Sequence, residues 1–531
     1  MERLRRGRGG VVAAGDARTA EVGARILGEG GNAVDAAVAA VLAAFVAEPA
    51  LTGAFGGGFA TVSRGERAES WDFFAQRPGR GLAEGAEAGQ DFRALEVDFG
   101  AATQVFHIGR GSVAVPLLLP GLLALHERHG ALPWAALVAP AAELARTGVP
   151  LSTQAAEIIH TLSPILRHSP EAEAIFAPDG RLLEAGDLFR APGLADLLEG
   201  LADGTRSPEP HALLEAFAPP AGRFTEADLE SADPTCRPSI EVRLGDFEIH
   251  LAPPPSAGGL LVGFALRLLE VVPASVWKEE GPTCRHLVSA MAVTAAARAE
   301  LVDPAFERWE GLDDLAARLL SDAYLDGWWE PMLRAAVDGL PERLRPEREP
   351  GSTTHVSVVD AAGLGCGITS SNGEGCGYVV PGTEALANNF LGEEDIHPYG
   401  FHRDPPGRHL MSMMAPTSVT RDGRVELVLG SGGSNRIRTA LLQVLVHRLL
   451  GGRPLHAAVN GPRLHLEGDR LYLEREGAVG RLATSTLEAL ARLVPRVVVF
   501  DRPNFFFGGV HAAARGEAAG DLRRGGSVAR A

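Results

Sequence analysis

The stretch "REPGSTTHVSVVD", Arg348 to Asp360, constrains this chain more than any other. Charge and proline give way to glycine, and then Thr353 and Thr354 open a run with the two-residue period of a β-strand. Thr354, Val356 and Val358 fall on one face, and Thr353, His355 and Ser357 on the other. "DAAG" then makes a turn, and "LGCGITSS" reads as the returning strand of a hairpin. Two adjacent threonines thus stand at the seam between an exposed linker and a buried strand. Taken alone, the stretch is an ordinary hairpin after a loop.

The flanking sequence fixes the surroundings of that seam. "GDARTAEVGARILGEGGNAVDAAVAAVLAAFVAEP" reads as two helices joined by Glu29-Gly30-Gly31, with Asn32 as N-cap of the second. "LTGAFGGGFATVSRG" is a glycine-rich turn running into a strand. It is not a dinucleotide fingerprint, because its glycines precede a strand rather than open a helix. From about Leu117 to Asp233 the chain is helix-rich with polar loops. "FEIHLAPPPSAGGLLVGFALRLLE" gives a strand, a rigid triple-proline turn and a long amphipathic helix. The next helical region ends in "LPERLRPEREPGS", polar, proline-bearing and exposed. Beyond the hairpin, "GRVELVLGSGGSNRIRTALLQVLVHRLL" is strand, glycine-rich turn and helix.

Composition removes several function classes. A formal charge of −17 argues against a nucleic-acid or anionic-membrane surface. Lys278 is the one lysine, so no Walker-type Gly-Lys-Ser/Thr exists and Schiff-base chemistry has little to work with. Four scattered cysteines (Cys236, Cys284, Cys366, Cys376) form no Cys-x-x-Cys pair, and reduced, mostly buried thiols are expected rather than zinc or a disulfide framework. "HERH", His126 to His129, is one residue short of a zincin motif and reads as a solvated helix end. The longest apolar run, Ala36 to Ala47, is bracketed by Asp35 and Glu48 and falls far below the ~20 residues that span a bilayer. A buried helix is expected there. The basic N-terminus is followed by no apolar signal core, so a cytoplasmic location is expected.

The motifs "EGGNAVDAAVAA", "GAFGGGF", "PPPSAGG", "TTHVSVVD", "VVPGTEALANN", "MMAPT" and "LGSGGSNR" occur in this order. With them the chain resembles the γ-glutamyltranspeptidase family of N-terminal nucleophile hydrolases, from about Val11 to "FFFGGVHAA". The resemblance implies an α+β fold, a four-layer αββα sandwich. It implies one integrated fold in two regions, residues 1–352 as a large chain and 353–531 as a small one, which stay together as a heterodimer after autocatalytic cleavage between Ser352 and Thr353. Thr353 then becomes nucleophile and new N-terminus together. Its α-amino group, with an ordinary pKa of about 7.7–8.0, removes the hydroxyl proton near neutral pH, so no separate base or Gly-x-Ser-x-Gly elbow is needed. Gly432 and Gly433 match the paired glycines whose N–H groups face the oxyanion, although "GSGGSNR" alone reads equally as a helix-capping turn. In "TSSNGEG", Ser370 and Asn372 match the family's threonine-x-asparagine element, Ser370 toward the Thr353 hydroxyl and Asn372 toward the acyl group. Because this segment is short, Ser371 competes with Ser370. His355 is expected to be structural.

The same comparison shows departures. Transpeptidases hold the donor's α-carboxylate with an arginine in Asp-Phe-Arg-Glu, but here "DFFAQRPGR" puts Phe74 at that place, leaving Arg77 or Arg80 as substitutes. The family's paired serines become Met411-Ser412. In "NNFLGEED", Phe390 replaces a common polar residue and Glu393 takes the acidic, ammonium-binding place. The segment "DIHPYGFHRDPPGRH" is short, as for a reduced or absent lid. Two function classes follow. One is a self-processing amidase passing an acyl group to water or an amine, with a γ-glutamyl compound or another small amide, as in cephalosporin acylases, for donor. The other is an unprocessed, non-catalytic binding relative. No metal or organic cofactor is implied.

Overall fold

The alternation that begins beside Thr353 becomes a strand, Thr354–Asp360, paired antiparallel with Leu364–Ser371 so that Thr354 lies opposite Ser370. The structure is a computed structural model and describes residues 9–83, 90–98, 103–202, 210–340 and 353–531. Most of the expected exposed linker, and Ser352 on the far side of the expected scissile bond, lie outside the described residues.

The hairpin sits inside a seven-stranded sheet. Its order is Thr235–Pro238, Arg67–Phe73, Gly57–Arg64, Leu364–Ser371, Thr354–Asp360, Gly10–Ala14 and Ser527–Arg530. Every neighbour pair is antiparallel. A six-stranded sheet packs against it, ordered Ile240–Leu244, Phe247–Leu251, Thr417–Arg421, Arg424–Gly432, Gly509–Ala514 and Glu517–Ala519. Helices Ala17–Gly28 and Ala33–Ala47 cover the outer face of the first sheet, and Ala257–Leu269 and Arg436–Leu445 cover the second. This is the α+β, αββα sandwich. Strands from before and after residue 353 are interleaved in the first sheet.

Local chemistry explains these elements. The Asn32 side chain accepts from the backbone N–H groups of Val34 and Asp35, and the Asp35 carboxylate accepts from the Asn32 N–H, a reciprocal cap worth about 1 kcal/mol. The helix it starts is buried at all fifteen positions, which its unbroken Ala/Val/Leu sequence requires. The helix Ala257–Leu269 departs from the amphipathic expectation: twelve of its thirteen residues are buried. A further layer of helices, Glu280–Ala297 and Asp322–Asp338, covers its outer side. At "HERH", Glu127 and Arg128 are exposed at the end of the helix Leu118–His129. Its histidines are half-buried, His126 Nε2 against the Leu132 carbonyl at 2.8 Å and His129 Nε2 against Glu69 at 2.9 Å. The four cysteines are free, three of them buried and Cys236 exposed.

The two faces of the Thr354–Asp360 strand meet different environments. Val356 and Val358 join the apolar core beneath the Ala33–Ala47 helix. His355 and Ser357 point between the sheets. Ser357 Oγ donates to the His511 carbonyl at 3.1 Å, and the His355 ring bonds Thr369 Oγ1 through Nδ1 and Ser357 Oγ through Nε2, both at 2.8 Å. The ring is fully satisfied as a neutral imidazole, and burial, then His511, drive its pKa well below the ordinary value. The layer between the sheets is accordingly poor in apolar groups, its cluster being Val11, Val359, Val425, Val428 and Ala513. Among the described residues no helix is long and apolar enough to cross a membrane.

Candidate active site

Thr353 stands one residue before its strand, only 5% exposed, and shares the inter-sheet face with His355. The second sheet meets it there. Gly432 is the last residue of the strand Arg424–Gly432 and lies opposite Gly509. A Cβ on Gly432 would come within 1.9 Å of the Thr353 carbonyl oxygen, so only glycine fits. Gly433 has φ 114°, and a Cβ there would lie 2.8 Å from the Cα of Gly508. Glycine therefore lets the Gly432 backbone close on Thr353 and the Gly433 backbone close on Gly508.

The rear of the site is ionic. Arg524 Nη1 donates to the Thr353 carbonyl oxygen at 3.1 Å. Thr354, facing the helices, donates its hydroxyl to Glu48 Oε2 at 2.5 Å, and Thr19 donates to Glu48 Oε1 at 2.9 Å. Glu48 is buried at the end of the helix Ala33–Ala47, and burial lifts its carboxyl to about 7, the Thr354 hydrogen bond opposing and Asp16 adding to the rise. Burial likewise lowers Arg524 to about 10.

On the neighbouring strand the register separates the two serines. Ser370 lies opposite Thr354 and accepts from Thr52 Oγ1 at 2.9 Å, on the helix side. One step further along the same register, Ser371 lies across from Thr353. Its hydroxyl accepts from the Gly373 N–H at 2.9 Å. Asn372 follows, with Nδ2 donating to the Leu386 carbonyl at 3.2 Å and Oδ1 buried without a hydrogen-bond partner among the described residues. Glu393 comes up against this turn: a Cβ on Gly373 would meet Glu393 Oε1 at 2.5 Å and Asn389 Oδ1 at 2.1 Å. Burial, then Glu374 and Asp395, raise the Glu393 carboxyl well above its ordinary range. Asp395 in turn accepts from the Ser434 hydroxyl, next to Gly433.

Phe74 and Phe390 lie buried in the apolar core on the side of the second sheet and pack on each other, ring centroids 4.3 Å apart, with Phe59 6.0 Å beyond Phe74. The two positions that lost a polar residue relative to the family pattern are thus in contact. Arg77 is buried and donates through Nη2 to the His402 carbonyl at 3.0 Å, while Arg80 Nη2 donates to the Gly407 carbonyl at 3.3 Å. Both arginines grip the short segment that follows Glu393. That segment is tied down again by Leu410 N–H to the Ala75 carbonyl at 2.9 Å and by His409 Nδ1 at 2.8 Å from Asp72. The Ser412 hydroxyl accepts from the Met414 N–H at 3.2 Å.

Thr353 and Gly432 therefore come together directly, with Gly433 next in the chain; Ser370 lies opposite Thr354, and Asn372 and Glu393 stand at the turn that follows Ser371. Arg77 reaches the His402 carbonyl, and the Ser412 hydroxyl holds the N–H of its own neighbour Met414. Glu48, Arg524, Thr52 and Glu374 emerge from the structure alone. A carboxylate ending a twelve-residue apolar run marks Glu48 in the sequence. Arg524, 171 positions from Thr353, carries no local signal.

The family model described as Gamma-glutamyltranspeptidase matches residues 19–531. The Acylase ACY 1 proenzyme of Pseudomonas sp. (strain V22) is 31% identical over 478 residues, covering 88% of this chain and 84% of that protein. The glutathione hydrolase proenzyme of Pseudomonas aeruginosa is 30% identical over 514 residues, covering 91% and 88%. The crystal structure of cephalosporin acylase from Bacillus halodurans has the same fold, with a TM-score of 0.80 at 23% identity over 99% of this chain and 97% of that one.

Proposed function

We propose, from the premise that this chain belongs to the γ-glutamyltranspeptidase family, that it is a self-processing amidase acting through an N-terminal threonine. It is an enzyme of that family, whose named relatives include both acylase and glutathione hydrolase proenzymes. The observation that carries the reading is the closure of the Gly432 backbone on Thr353, with Gly433 next in the chain. In the precursor, the Thr353 hydroxyl attacks the Ser352 carbonyl. An ester forms as the peptide C–N bond breaks, leaving the Thr353 amine free, and water hydrolyses the ester to give the Ser352 carboxylate. In turnover that amine takes the hydroxyl proton as Oγ attacks the donor's amide carbonyl. The Gly432 and Gly433 N–H groups stabilise the oxyanion, the protonated amine passes its proton to the leaving nitrogen, and water or an amine then cleaves the acyl-enzyme. Ser371, across from Thr353, is favoured over Ser370 as the hydroxyl that attends the nucleophile. Asn372 and Glu393 border the acyl group, and Ser412 and Arg77 belong to its outer wall.

A γ-glutamyl compound is the default donor. The contact between Phe74 and Phe390 favours a second donor class, acyl groups without an α-carboxylate, because an aromatic pair stands where a guanidinium fork is expected. Mass spectrometry and N-terminal sequencing test the first claim: soluble wild-type protein with no chain beginning at Thr353 refutes it. For the donor, kcat/KM for γ-glutamyl-p-nitroanilide is compared with that for butyryl-p-nitroanilide in wild type and Arg77→Ala. Butyryl is expected to equal or exceed γ-glutamyl in both. A strong γ-glutamyl preference that disappears in Arg77→Ala would show that the clamp has moved to Arg77.

A further inference from the structure

A cut before Thr353 leaves that residue at a strand end with no covalent neighbour on its amino side. Chain ends fray unless tied down. The carbonyl of Thr353 and the side chain of Thr354 are the handles left, and each is held by a buried charged group. Arg524 Nη1 takes the carbonyl at 3.1 Å, and Glu48 Oε2 takes the Thr354 hydroxyl at 2.5 Å. Both side chains line one small cavity behind the threonines, with Gly15, Leu51, Ser152 and Gln154. They are close enough that each charge acts on the other. Thr19 holds the second Glu48 oxygen at 2.9 Å, and Arg524 Nη2 reaches the Phe505 carbonyl at 3.4 Å, so neither grip is free to swing.

We infer that Glu48 and Arg524 are positioning residues, a clamp that fixes the cut Thr353 for attack, and that the Arg524 charge keeps its new α-amino group in the basic form. The inference rests on the N-terminal threonine reading. Within one residue the amino nitrogen lies less than about 4 Å from the carbonyl oxygen. The Arg524 guanidinium therefore stands within roughly 7 Å of the amine, and a cation that near disfavours ammonium. The other charged groups around this corner are Asp521, which acts most strongly on Arg524, Glu48 at the helix end, Asp16 acting on Glu48, Glu374 beyond the Leu364–Ser371 strand, and Arg436 at the head of its helix. Asp521, Glu48 and Glu374 pull the amine's pKa upward, and Arg524 with Arg436 pull it down. His355 and His511, between the sheets, are driven neutral mainly by burial, His511 down to about 4.

The test separates charge from packing. Glu48→Gln keeps an oxygen acceptor for the Thr354 hydroxyl and should cost only a few-fold in kcat. Glu48→Ala should cost tenfold or more in kcat with KM little changed, and equal losses in the two variants would overturn the clamp. Arg524→Met should move the acidic limb of the kcat/KM pH profile upward by about one unit. Arg524→Lys should hold the wild-type limb. Should the Met variant stay uncut, the Lys variant decides: a limb displaced as far as a unit overturns the inference, and a limb in place supports it. Failure of the underlying reading looks different. Wild-type protein with no chain starting at Thr353 ends that reading, whereas cut, active wild type with kcat and limb unchanged in every variant ends the clamp alone.

Discussion

Two corners of the same site are built in different ways. Around Thr353 the walls are backbone: two strand ends, two glycine pairs and a carbonyl, approaching so closely that one added carbon at Gly432 would reach 1.9 Å from the Thr353 oxygen. Around Phe74 and Phe390 the walls are side chains on connecting segments, with a loop fastened down by Arg77 and Arg80. The first corner tolerates nothing. The second exchanges a charged fork for an aromatic pair and still closes, because neighbouring side chains can repack where backbones cannot. On the proposed function, the chemistry leans on main chain and the recognition on side chains, so the two need not change together.

That contrast can be broken in order of expected effect. Thr353→Ala should leave a single uncut chain in a mass spectrum and reduce turnover by at least ~10³-fold. Retained cutting would remove the nucleophile from its corner. Gly432→Ala should lower both cutting and turnover by ~10²–10³-fold, as loss of an oxyanion donor does, and near-normal kinetics would show that the backbone corner is looser than its geometry. In the side-chain corner, Phe74→Arg combined with Phe390→Gln should raise the ratio of kcat/KM for γ-glutamyl- over butyryl-p-nitroanilide about tenfold, the worth of one charge-assisted hydrogen bond. Both rings are buried in the apolar core, so recovery of soluble protein is measured first, and its loss would mean that this corner cannot take back a charged fork. Smallest is the serine test. Ser371→Ala should cost up to about tenfold in kcat and Ser370→Ala less than about threefold. The reverse order would mean that the register twists away before it reaches Thr353.

Much of the backbone corner was legible in the sequence. Alternation assigned Val356 and Val358 to one face and His355 and Ser357 to the other, and the structure puts them against the helices and the second sheet respectively. The helix starting after Asn32, the strand entering Gly432 and the turn before Leu364 follow from capping, period and turn chemistry that act within a few residues. Strand register is not written in the residues of one strand alone, which is why the sequence leaves Ser370 and Ser371 as rivals, and the structure adds that Ser370 lies opposite Thr354. The grip of Arg77 on the His402 carbonyl and of Arg524 on Thr353 spans 325 and 171 positions. An arginine reaches several ångströms, and nothing in its own neighbourhood says where. The amphipathic reading of Ala257–Leu269 failed for a related reason, since one layer of neighbours was counted and the fold supplies two.

The central sheet has one more consequence. Leu364–Ser371 and Thr354–Asp360 lie between Gly57–Arg64 on one side and Gly10–Ala14 on the other, like fingers of two clasped hands. If the chain is cut at Thr353 as proposed, the tether that brings these strands into register is lost. Heat or denaturant that parts the clasp erases an arrangement that two separate chains must rediscover by collision, so its durability is a matter of how slowly it opens rather than of how favourably it would re-form.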